Sequence, residues 1–286
     1  MKYQYQRNNR LNSISKNLVS IIIPTKNESK NIKQCLLSCQ SQTYKNIEII
    51  VVDNYSTDKT VEITKQFTKN IYLKGNERSQ QRNYGAWQAR GKYLLFVDAD
   101  MELEEELIKN CLAVIQKQNY QAITIPEKVP DVDFWSKCRN FEKKLYFRST
   151  LIEAPRFIER NTFKTLGGYD EKIIASEDWD LAIRLRNNKI GIGYCTKHLI
   201  HHEGPISLFV LAKKKFYYGL NLKAYICKYP KKSIVQYNPL RRAYFENIND
   251  LINNPRLTVG LLVLKIVEYT AGGLGVILGI GKNEHT

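Results

Sequence analysis

Short apolar runs that end in polar loops alternate with helix-like stretches through the first half of the chain. Three of the runs are five or six residues long and rich in branched or aromatic side chains, which is typical of buried strands. They cover residues 18–23, 47–52 and 93–97. The segments that separate or follow them space their apolar residues as helices do, and these are 32–39, 61–67 and 78–90. This alternation predicts an α/β fold with a mostly parallel sheet flanked by helices.

The pattern is looser after residue 125, although further elements are predicted there. An aromatic and basic stretch indicates a helix that lies over the ligand-binding edge of the sheet. A later alternating stretch indicates a strand with an exposed face. These two stretches are 134–147 and 157–163. Another helix and two short strands are predicted at 177–185, 190–195 and 198–200. From residue 206 onward the chain mixes apolar and basic residues and predicts a helical extension.

Acidic side chains follow each of the three main strands, as Glu28, Asp53 and the pair Asp98 and Asp100. Parallel strands place such loops at one edge of the sheet, where open α/β sheets bind their ligands. Two carboxylates one residue apart repel each other unless a cation or hydrogen-bond donors neutralise them. A divalent cation that holds a phosphate would do so. The alternative is that Asp98 and Asp100 only cap a following helix at 102–112.

The usual glycine-rich cradles for phosphate are absent from the sequence. No Gly-x-Gly-x-x-Gly motif follows the first strand, and no P-loop occurs anywhere in the chain. A bound nucleotide would therefore need a metal ion and basic side chains such as Arg78 and Arg82 to neutralise its phosphates.

Two further clusters carry candidate chemistry. Glu177, Asp178 and Asp180 lie in the first turn of a predicted helix, where the helix dipole alone also favours acids, so a substrate-facing role and a structural one stay open. His201 and His202 follow the last predicted strand and are candidates for a metal or diphosphate contact. Only one of two adjacent histidines can face the same side of a strand.

The net charge of +16 is concentrated at the two ends of the chain. Residues 1–17 hold four Lys or Arg and no acid, and are expected to form a disordered arm. From residue 206 onward there are twelve Lys or Arg and four acids, which indicates an anionic partner such as nucleic acid or an acidic lipid surface. The N-terminal stretch has no apolar core, so no signal peptide is expected.

Residues 257–280 are strongly apolar but include Lys265 and Glu268, and these two charges argue against a membrane-spanning helix. An interfacial helix or one packed on a partner fits better, and a helix that merely covers the domain is the alternative. The six cysteines form no C-x-x-C pair, so no zinc site is expected. They are expected to be buried thiols, which implies a reducing compartment.

Taken in order, these motifs resemble the family 2 glycosyltransferases of the GT-A fold. The resemblance covers about residues 18–205 and is carried by the whole ordered set of motifs. That set is Pro24-Thr25-x-Asn27-Glu28, Asp53-Asn54-x-Ser56-x-Asp58, Arg82-Asn83-x-Gly85, Asp98-Ala99-Asp100, Gly167-Gly168-Tyr169-Asp170-Glu171, Glu177-Asp178-Trp179-Asp180-Leu181 and His201-His202.

The resemblance implies an inverting transfer of a sugar from a nucleotide-diphospho-sugar, with Mg²⁺ or Mn²⁺ as the metal. By position, the expected donor-binding residues are Pro24, Thr25, Glu28, Asp53, Arg82 and Asp98. The expected metal ligands are Asp100 with His201 or His202, and His201 is preferred. Asp178 is the expected general base, with Glu177 beside it and Asp180 as the alternative base.

These observations lead to a domain and function hypothesis. Residues 18–205 would form the GT-A domain, and 206–286 a basic helical region that associates with an anionic membrane. The expected acceptor is a lipid-linked or saccharide hydroxyl in cell-surface glycan synthesis, at the cytoplasmic face of the membrane. Two alternatives remain, a sugar-phosphate nucleotidyltransferase and a non-catalytic nucleic-acid binder. The acidic crevice argues against the binder, so no nucleic-acid partner is expected.

Overall fold

A computed structural model describes residues 17–146 and 153–281 of the chain. The predicted arm at 1–17, apart from Asn17, lies outside the described residues. The end of the predicted helix at 134–147 also lies outside them.

A seven-stranded sheet forms the centre of the molecule, with the strand order β3-β2-β1-β4-β8-β6-β9. Strand β8 is antiparallel to both of its neighbours, and the other pairs are parallel. This confirms the predicted mostly parallel sheet. The strands are β1 (Val19–Thr25), β2 (Ile47–Asp53), β3 (Ile71–Leu73), β4 (Tyr93–Phe96), β6 (Ala122–Thr124), β8 (Pro155–Glu159) and β9 (Ile192–Tyr194).

A smaller sheet of three short strands, in the order β5-β10-β7, lies beyond the end of β4. Its strands are β5 (Met101–Leu103), β7 (Glu127–Lys128) and β10 (Leu199–His201). In this sheet His201 lies opposite Met101, so the segment after β4 meets the last strand of the chain.

Thirteen helices are present in the described residues. The first seven accompany the sheets: α1 (Ile32–Gln40), α2 (Thr60–Thr64), α3 (Arg78–Gln88), α4 (Leu107–Gln118), α5 (Phe134–Leu145), α6 (Arg160–Thr165) and α7 (Glu177–Asn187). The other six follow the last strand: α8 (Leu208–Leu220), α9 (Lys223–Lys228), α10 (Pro230–Gln236), α11 (Arg242–Glu246), α12 (Ile248–Asn253) and α13 (Pro255–Gly281).

The central strands are buried on both faces because helices cover each side of the sheet. Every residue of β1 is buried, and alternate residues of β1 and β4 belong to two different hydrophobic clusters. Continuous apolar runs are what such two-sided burial requires. Gly85 allows α3 to lie against the sheet, because a Cβ there would be 2.5 Å from Cγ2 of Ile22.

Two expectations from the sequence are wrong. The predicted exposed strand at 157–163 is a buried central strand that ends at Glu159, and α6 follows directly. Apolar–polar alternation misled here because β8 is covered on both faces. The proposal that Asp98 and Asp100 cap a helix also fails, since β5 follows them and α4 begins only at Leu107.

Only helices follow β10 in the described residues. Helix α13 contains a segment, Pro255–Ile280, that is long and apolar enough to cross a membrane by length and composition. It lies beside α8 and also contacts α5. Helices α8 and α13 run in the same direction, because Lys215 of α8 pairs with Glu268 of α13, and further along both helices Leu220 lies next to Gly279.

Candidate active site

The ends of β1 and β2 are joined through two predicted donor-binding residues. Thr25 lies opposite Asp53 in the parallel register, and its hydroxyl donates to Oδ2 of Asp53 at 2.8 Å. The fully buried Asp53 also accepts hydrogen bonds from the backbone N–H and the hydroxyl of Ser56. Pro24 precedes Thr25 in the same strand. These buried hydrogen bonds therefore join the carboxyl ends of β1 and β2 to each other.

Arg82 is the centre of the charge cluster at this edge. Its side chain is fully buried on α3, and its guanidinium lies 2.6 Å from Asp98, 3.1 Å from Asp178 and 3.2 Å from Glu177. Burial opposes the positive charge of Arg82, but these carboxylates outweigh it and raise its pKa well above the ordinary value. One buried cation thus joins the loop after β4 to the start of α7. The sequence predicted these residues at one site, and the structure brings them into direct contact.

Two residues of this cluster, Arg156 and Glu127, were missed by reasoning from sequence. Arg156 Nη1 lies 3.3 Å from Oδ2 of Asp98, and its Nη2 lies 2.9 Å from Glu127. Burial raises the pKa of Asp98, but Arg82 and Arg156 overcome this and hold it well below the ordinary range. Arg156 precedes the apolar core of β8, and only the antiparallel insertion of that strand next to β4 brings it to Asp98. Its position was therefore not visible in local sequence.

The two candidate histidines face different acids. Nε2 of His201 lies 3.0 Å from Oδ2 of Asp100, whereas Nε2 of His202 lies 2.9 Å from Oε2 of Glu102 on a more exposed surface. Burial lowers the pKa of His201, but its hydrogen bonds to Asp100 and Glu127 prevail and raise it to about 9. His201 is therefore the histidine that lies with the predicted metal-binding aspartate.

Asp100 and His201 fit a metal site that the protein only partly encloses. No group of three or more His, Cys, Asp or Glu ligands is found among the residues that the structure describes. Mg²⁺ is commonly held by one or two protein carboxylates together with substrate phosphates, so an incomplete protein shell is compatible with a nucleotide-diphosphate ligand. Asp100 would be the carboxylate ligand of such an ion and His201 its imidazole neighbour.

Glu28, in the loop after β1, lies close to the two acids Asp98 and Asp100. Burial, together with the negative charges of Asp100 and Asp98, raises the pKa of its carboxyl group, while a hydrogen bond from Asn31 opposes the increase. Three acids from two loops therefore share one small region. Such a concentration of negative charge favours a site that receives a cation or hydrogen-bond donors.

Asp180 is not part of the cluster. It is fully buried and lies 2.6 Å from Arg184, 2.7 Å from Lys228, and accepts a hydrogen bond from the hydroxyl of Tyr229. These contacts tie α7 to the helices that follow α8. Glu177 and Asp178 point instead to Arg82. Burial and the neighbouring Asp178 raise the pKa of Glu177.

A cavity of about 710 Å³ opens beside the cluster. Asp178 and Arg156 lie at its boundary with the buried charges, and Trp179 is next to Asp178. Helix α5 contributes Lys143 and Lys144 to another wall. Asp178, with a side chain 30% exposed, is therefore at once a partner of Arg82 and a group open to a ligand in the cavity.

Two of the sequence motifs are linked behind the charge cluster. The side-chain oxygen of Asn83 accepts from the backbone N–H of Tyr169 at 2.8 Å, and its amide donates to the Tyr169 carbonyl at 2.9 Å. Gly168 has φ +74°, and a Cβ there would lie 2.6 Å from Oδ1 of Asn83. Tyr169 in turn places its ring 5.3 Å from the Arg82 guanidinium. These contacts hold Arg82 in place from behind.

The fold and site define an α/β protein with a buried charge cluster at the carboxyl edge of its sheet, and comparison identifies its family. The model of the family "Glycosyl transferase family 2" matches residues 20–174, more than half of the chain. The chain belongs to this family and contains a family 2 glycosyltransferase domain with the GT-A fold.

Two known proteins illustrate the sequence similarity. A PGL/p-HBAD biosynthesis glycosyltransferase of Mycobacterium bovis is 30% identical over 186 residues, which are 60% of this chain and 70% of that protein. The poly(ribitol-phosphate) β-N-acetylglucosaminyltransferase TarS of Staphylococcus aureus is 31% identical over 118 residues, or 38% of this chain and 21% of TarS. The chain thus matches only about a fifth of TarS.

Solved structures agree on the fold. A TarS fragment in complex with UDP-GlcNAc superposes with a TM-score of 0.56 at 20% identity, over 90% of this chain and 83% of the fragment. The mannosyltransferase PcManGT of Pyrobaculum calidifontis, in complex with GDP-Man and Mn²⁺, gives a TM-score of 0.67 at 14% identity. That match covers 93% of this chain and 87% of the mannosyltransferase.

Proposed function

We propose that this protein is an inverting glycosyltransferase that moves a sugar from a nucleotide-diphospho-sugar to an acceptor hydroxyl in cell-surface glycan synthesis. The observation that carries the proposal is the position of Asp178, which contacts buried Arg82 and also lines the large cavity. A base at the boundary between a donor-binding edge and an acceptor cavity is what a direct displacement at the sugar requires. One named relative is a poly(ribitol-phosphate) β-N-acetylglucosaminyltransferase and the other a PGL/p-HBAD biosynthesis glycosyltransferase, which supports the transfer of a sugar.

The donor is proposed to lie along the carboxyl edge of β1, β2 and β4. Pro24, Thr25, Glu28 and Asp53 would hold the nucleoside, and Asp98 would contact the ribose or sugar. The hydrogen bond from Thr25 to Asp53 supports this position, because it joins the carboxyl ends of β1 and β2. A UDP-sugar and a GDP-sugar are bound by two proteins of the same fold, which supports a nucleoside diphosphate as the leaving group.

A divalent ion, Mg²⁺ or Mn²⁺, is proposed to bind at Asp100 with the donor diphosphate, next to His201. When bound it would offset the negative charge that develops on the departing diphosphate. Arg78 and Arg82 supply fixed positive charge on the neighbouring helix. His202 is proposed to remain outside this site because it faces Glu102.

Asp178 is proposed to accept the proton of the acceptor hydroxyl as that oxygen attacks the sugar. Arg82 bonds to Oδ1 of Asp178 and so fixes the orientation of the carboxylate. Glu177 shares the same guanidinium and would assist by holding Arg82 in place. Asp180 would serve the fold instead of the reaction, since Arg184, Lys228 and Tyr229 occupy it.

The acceptor is proposed to be a saccharide or lipid-linked hydroxyl that enters the cavity beside Trp179. Aromatic side chains next to a base are suited to stacking against a sugar ring. We place the enzyme at the cytoplasmic face of a membrane. All six cysteines are free and five of them are buried, which supports a reducing compartment.

One experiment tests donor use, metal use and the base together. A panel of sugar nucleotides is screened for thermal stabilisation and for release of nucleoside diphosphate, with and without Mn²⁺. We expect one donor to stabilise the wild-type protein, and the variant Asp178→Asn to bind it equally while losing transfer by about 10²–10⁴-fold. Asp180→Asn, which removes a charge from the same helix outside the cavity, is the comparison variant.

The outcomes that contradict the proposal are specific. Release of pyrophosphate instead of a nucleoside diphosphate would indicate a nucleotidyltransferase. Full transfer activity in Asp178→Asn would show that Asp178 is not the base. The expected loss of transfer in a folded Asp180→Asn variant, and not in Asp178→Asn, would assign the base to Asp180. Stabilisation that does not depend on Mn²⁺ would contradict the metal assignment.

A further inference from the structure

Beyond its first turn, the outward face of α13 carries an uncharged row of apolar side chains. Its members are the exposed residues Val259, Leu262, Ile266, Leu274 and Ile277, named here the α13 stripe. Their spacing follows one side of a helix, and at 1.5 Å per residue the stripe is about 27 Å long. Each member is between 58% and 69% exposed. An apolar strip of this length on a surface marks an interaction site.

Two of the three charged residues of α13, Lys265 and Glu268, lie on its opposite face and are paired with the domain, whereas the third, Arg256, is exposed in the first turn. Lys265 Nζ lies 2.6 Å from Glu142 on α5, and Glu268 lies 3.3 Å from Arg139 and 3.2 Å from Lys215. For α13 to cross a bilayer alone, these pairs would have to break or enter the hydrocarbon region, at a high cost. Beyond its first turn, the helix is therefore held against the domain with its apolar stripe outward.

Close packing with α8 holds α13 in this orientation. A Cβ on Gly275 would lie 2.3 Å from the backbone oxygen of Phe216, and one on Gly279 would lie 2.4 Å from that of Leu220. Small residues four apart permit this kind of backbone contact, which is frequent between helices in lipid. Side chains at these positions would push the two helices apart.

Exposed cations accompany the stripe in the same C-terminal region. They are Lys213, Lys214, Lys231, Lys232, Arg242 and Arg256. Lys213 places its Nζ 5.4 Å from the ring of Phe209, which is 72% exposed. The acids Glu246 and Asp250 are exposed there as well, and Glu246 already pairs with Arg242. The positive excess matches an anionic surface, to which each Lys or Arg adds attraction.

We propose that the α13 stripe docks on the surface of an anionic lipid bilayer, with α13 lying in the interface instead of crossing it. A second copy of this chain is the less suitable occupant, because face-to-face stripes would bring two sets of exposed lysines and arginines together. The buried partners of Lys265 and Glu268 stay paired in the docked state. Docking therefore requires no change in the domain.

The docked orientation also narrows the acceptor, and this step rests on the proposed function. Helix α5 contacts α13 through Phe141 and Leu261, while its Lys143 and Lys144 line the cavity next to Asp178. Two helices, α13 and α5, each about 10 Å across, thus lie between the bilayer-facing stripe and the acceptor cavity. An acceptor whose lipid anchor remains in the bilayer can present a hydroxyl to Asp178 if its head group spans about 20 Å.

The test measures binding of the full chain to vesicles of phosphatidylcholine alone and of phosphatidylcholine with phosphatidylglycerol. We expect binding to the anionic vesicles, weakening with salt, and release by carbonate washing. The double variant Leu262→Gln and Ile266→Gln should lower the partition coefficient at least tenfold, because polar groups replace apolar contacts at the interface. Leu37→Gln, at an exposed leucine on α1, is the matched control and should bind as the wild type does.

Donor hydrolysis without acceptor separates this inference from the proposed function. The double variant should hydrolyse the donor at the wild-type rate, yet lose activity on a lipid-linked acceptor in vesicles more than on a soluble saccharide. Vesicle binding unchanged in the double variant, equal binding to neutral vesicles, or resistance to carbonate extraction would overturn the interfacial proposal. A stable dimer in solution that the double variant dissolves would assign the stripe to a second copy and would overturn it too.

Discussion

The carboxyl edge of the sheet and the C-terminal helices differ in which side chains face outward from their buried charges. At the edge, Arg82 and Arg156 are buried among carboxylates, and Asp178 is left facing a cavity. On α13 the charges Lys265 and Glu268 are turned inward, and the outward face is apolar. The first region suits the phosphate-bearing donor that we propose, and the second suits the apolar surface that we propose. Both regions bury paired charges, and they differ in what is left facing outward: a carboxylate in the first and apolar side chains in the second.

The largest effect should come from removing the cation at the centre of the edge. Arg82→Met would remove the cation that Asp98, Glu177 and Asp178 share. It would leave Asp98 with Arg156 and Glu177 with the partly exposed Arg78, and Asp178 would lose its guanidinium partner. Breaking a buried ion pair in this way costs about 3–5 kcal/mol, so we expect the free energy of unfolding at pH 7 to fall by that amount. Urea denaturation measures it.

The same substitution at an exposed arginine is the control. Arg242 pairs with Glu246 on α11, and its side chain is 88% exposed. Arg242→Met should change the free energy of unfolding by no more than about 0.5 kcal/mol, because water screens the pair. Similar losses in the two variants would show that Arg82 does not hold the cluster together.

The second prediction tests the inward charges of α13. The pKa of Glu268 is about 2, because Lys215 and Lys265 outweigh the effect of burial. A folded-state pKa below the unfolded value of about 4.3 adds stability at neutral pH, and this is lost as the pH falls from about 4 to about 2. Glu268→Gln should therefore lower the free energy of unfolding by up to about 3 kcal/mol at pH 7 and have little effect near pH 2.

The measurement is the difference between wild type and variant in urea denaturation across this pH range. Glu246→Gln provides the control, since Glu246 is 55% exposed and its difference from wild type should stay small at every pH. A Glu268→Gln difference that does not shrink in acid would mean that the ion pairs with Lys215 and Lys265 do not anchor α13.

Much of this fold was visible in the sequence because its strands are buried on both faces. Continuous apolar runs located β1, β2 and β4. Because the strands alternate with helices along the chain, a parallel sheet was predicted, with Asp53 and Asp98 at the same edge. Local pattern could not show that β8 enters antiparallel next to β4, so Arg156 at Asp98 was missed. Contacts between residues distant in sequence are set by topology, which short-range periodicity does not contain.

The same limit applied to α13. Its composition showed an apolar segment with two charges, but not which side of the helix those charges occupy. That depends on the partners Glu142 and Arg139, which lie more than a hundred residues earlier. Lys265 and Glu268 argued against a membrane-spanning helix in the sequence, and their burial against α5 gives the physical reason to place α13 in the interface.

The smallest effect compares two glycines on α13 that face opposite ways. A Cβ on Gly275 would meet the backbone oxygen of Phe216 at 2.3 Å, whereas one on Gly273 would have nothing within 4 Å. Gly275→Ala should thus separate α8 from α13 and lower the free energy of unfolding by about 1–3 kcal/mol. Gly273→Ala should instead raise it by about 0.5–1 kcal/mol, because alanine favours a helix interior more than glycine does. Urea denaturation measures the change in the free energy of unfolding in both variants. Changes of the same sign would mean that α13 is not packed against α8 through its glycine face.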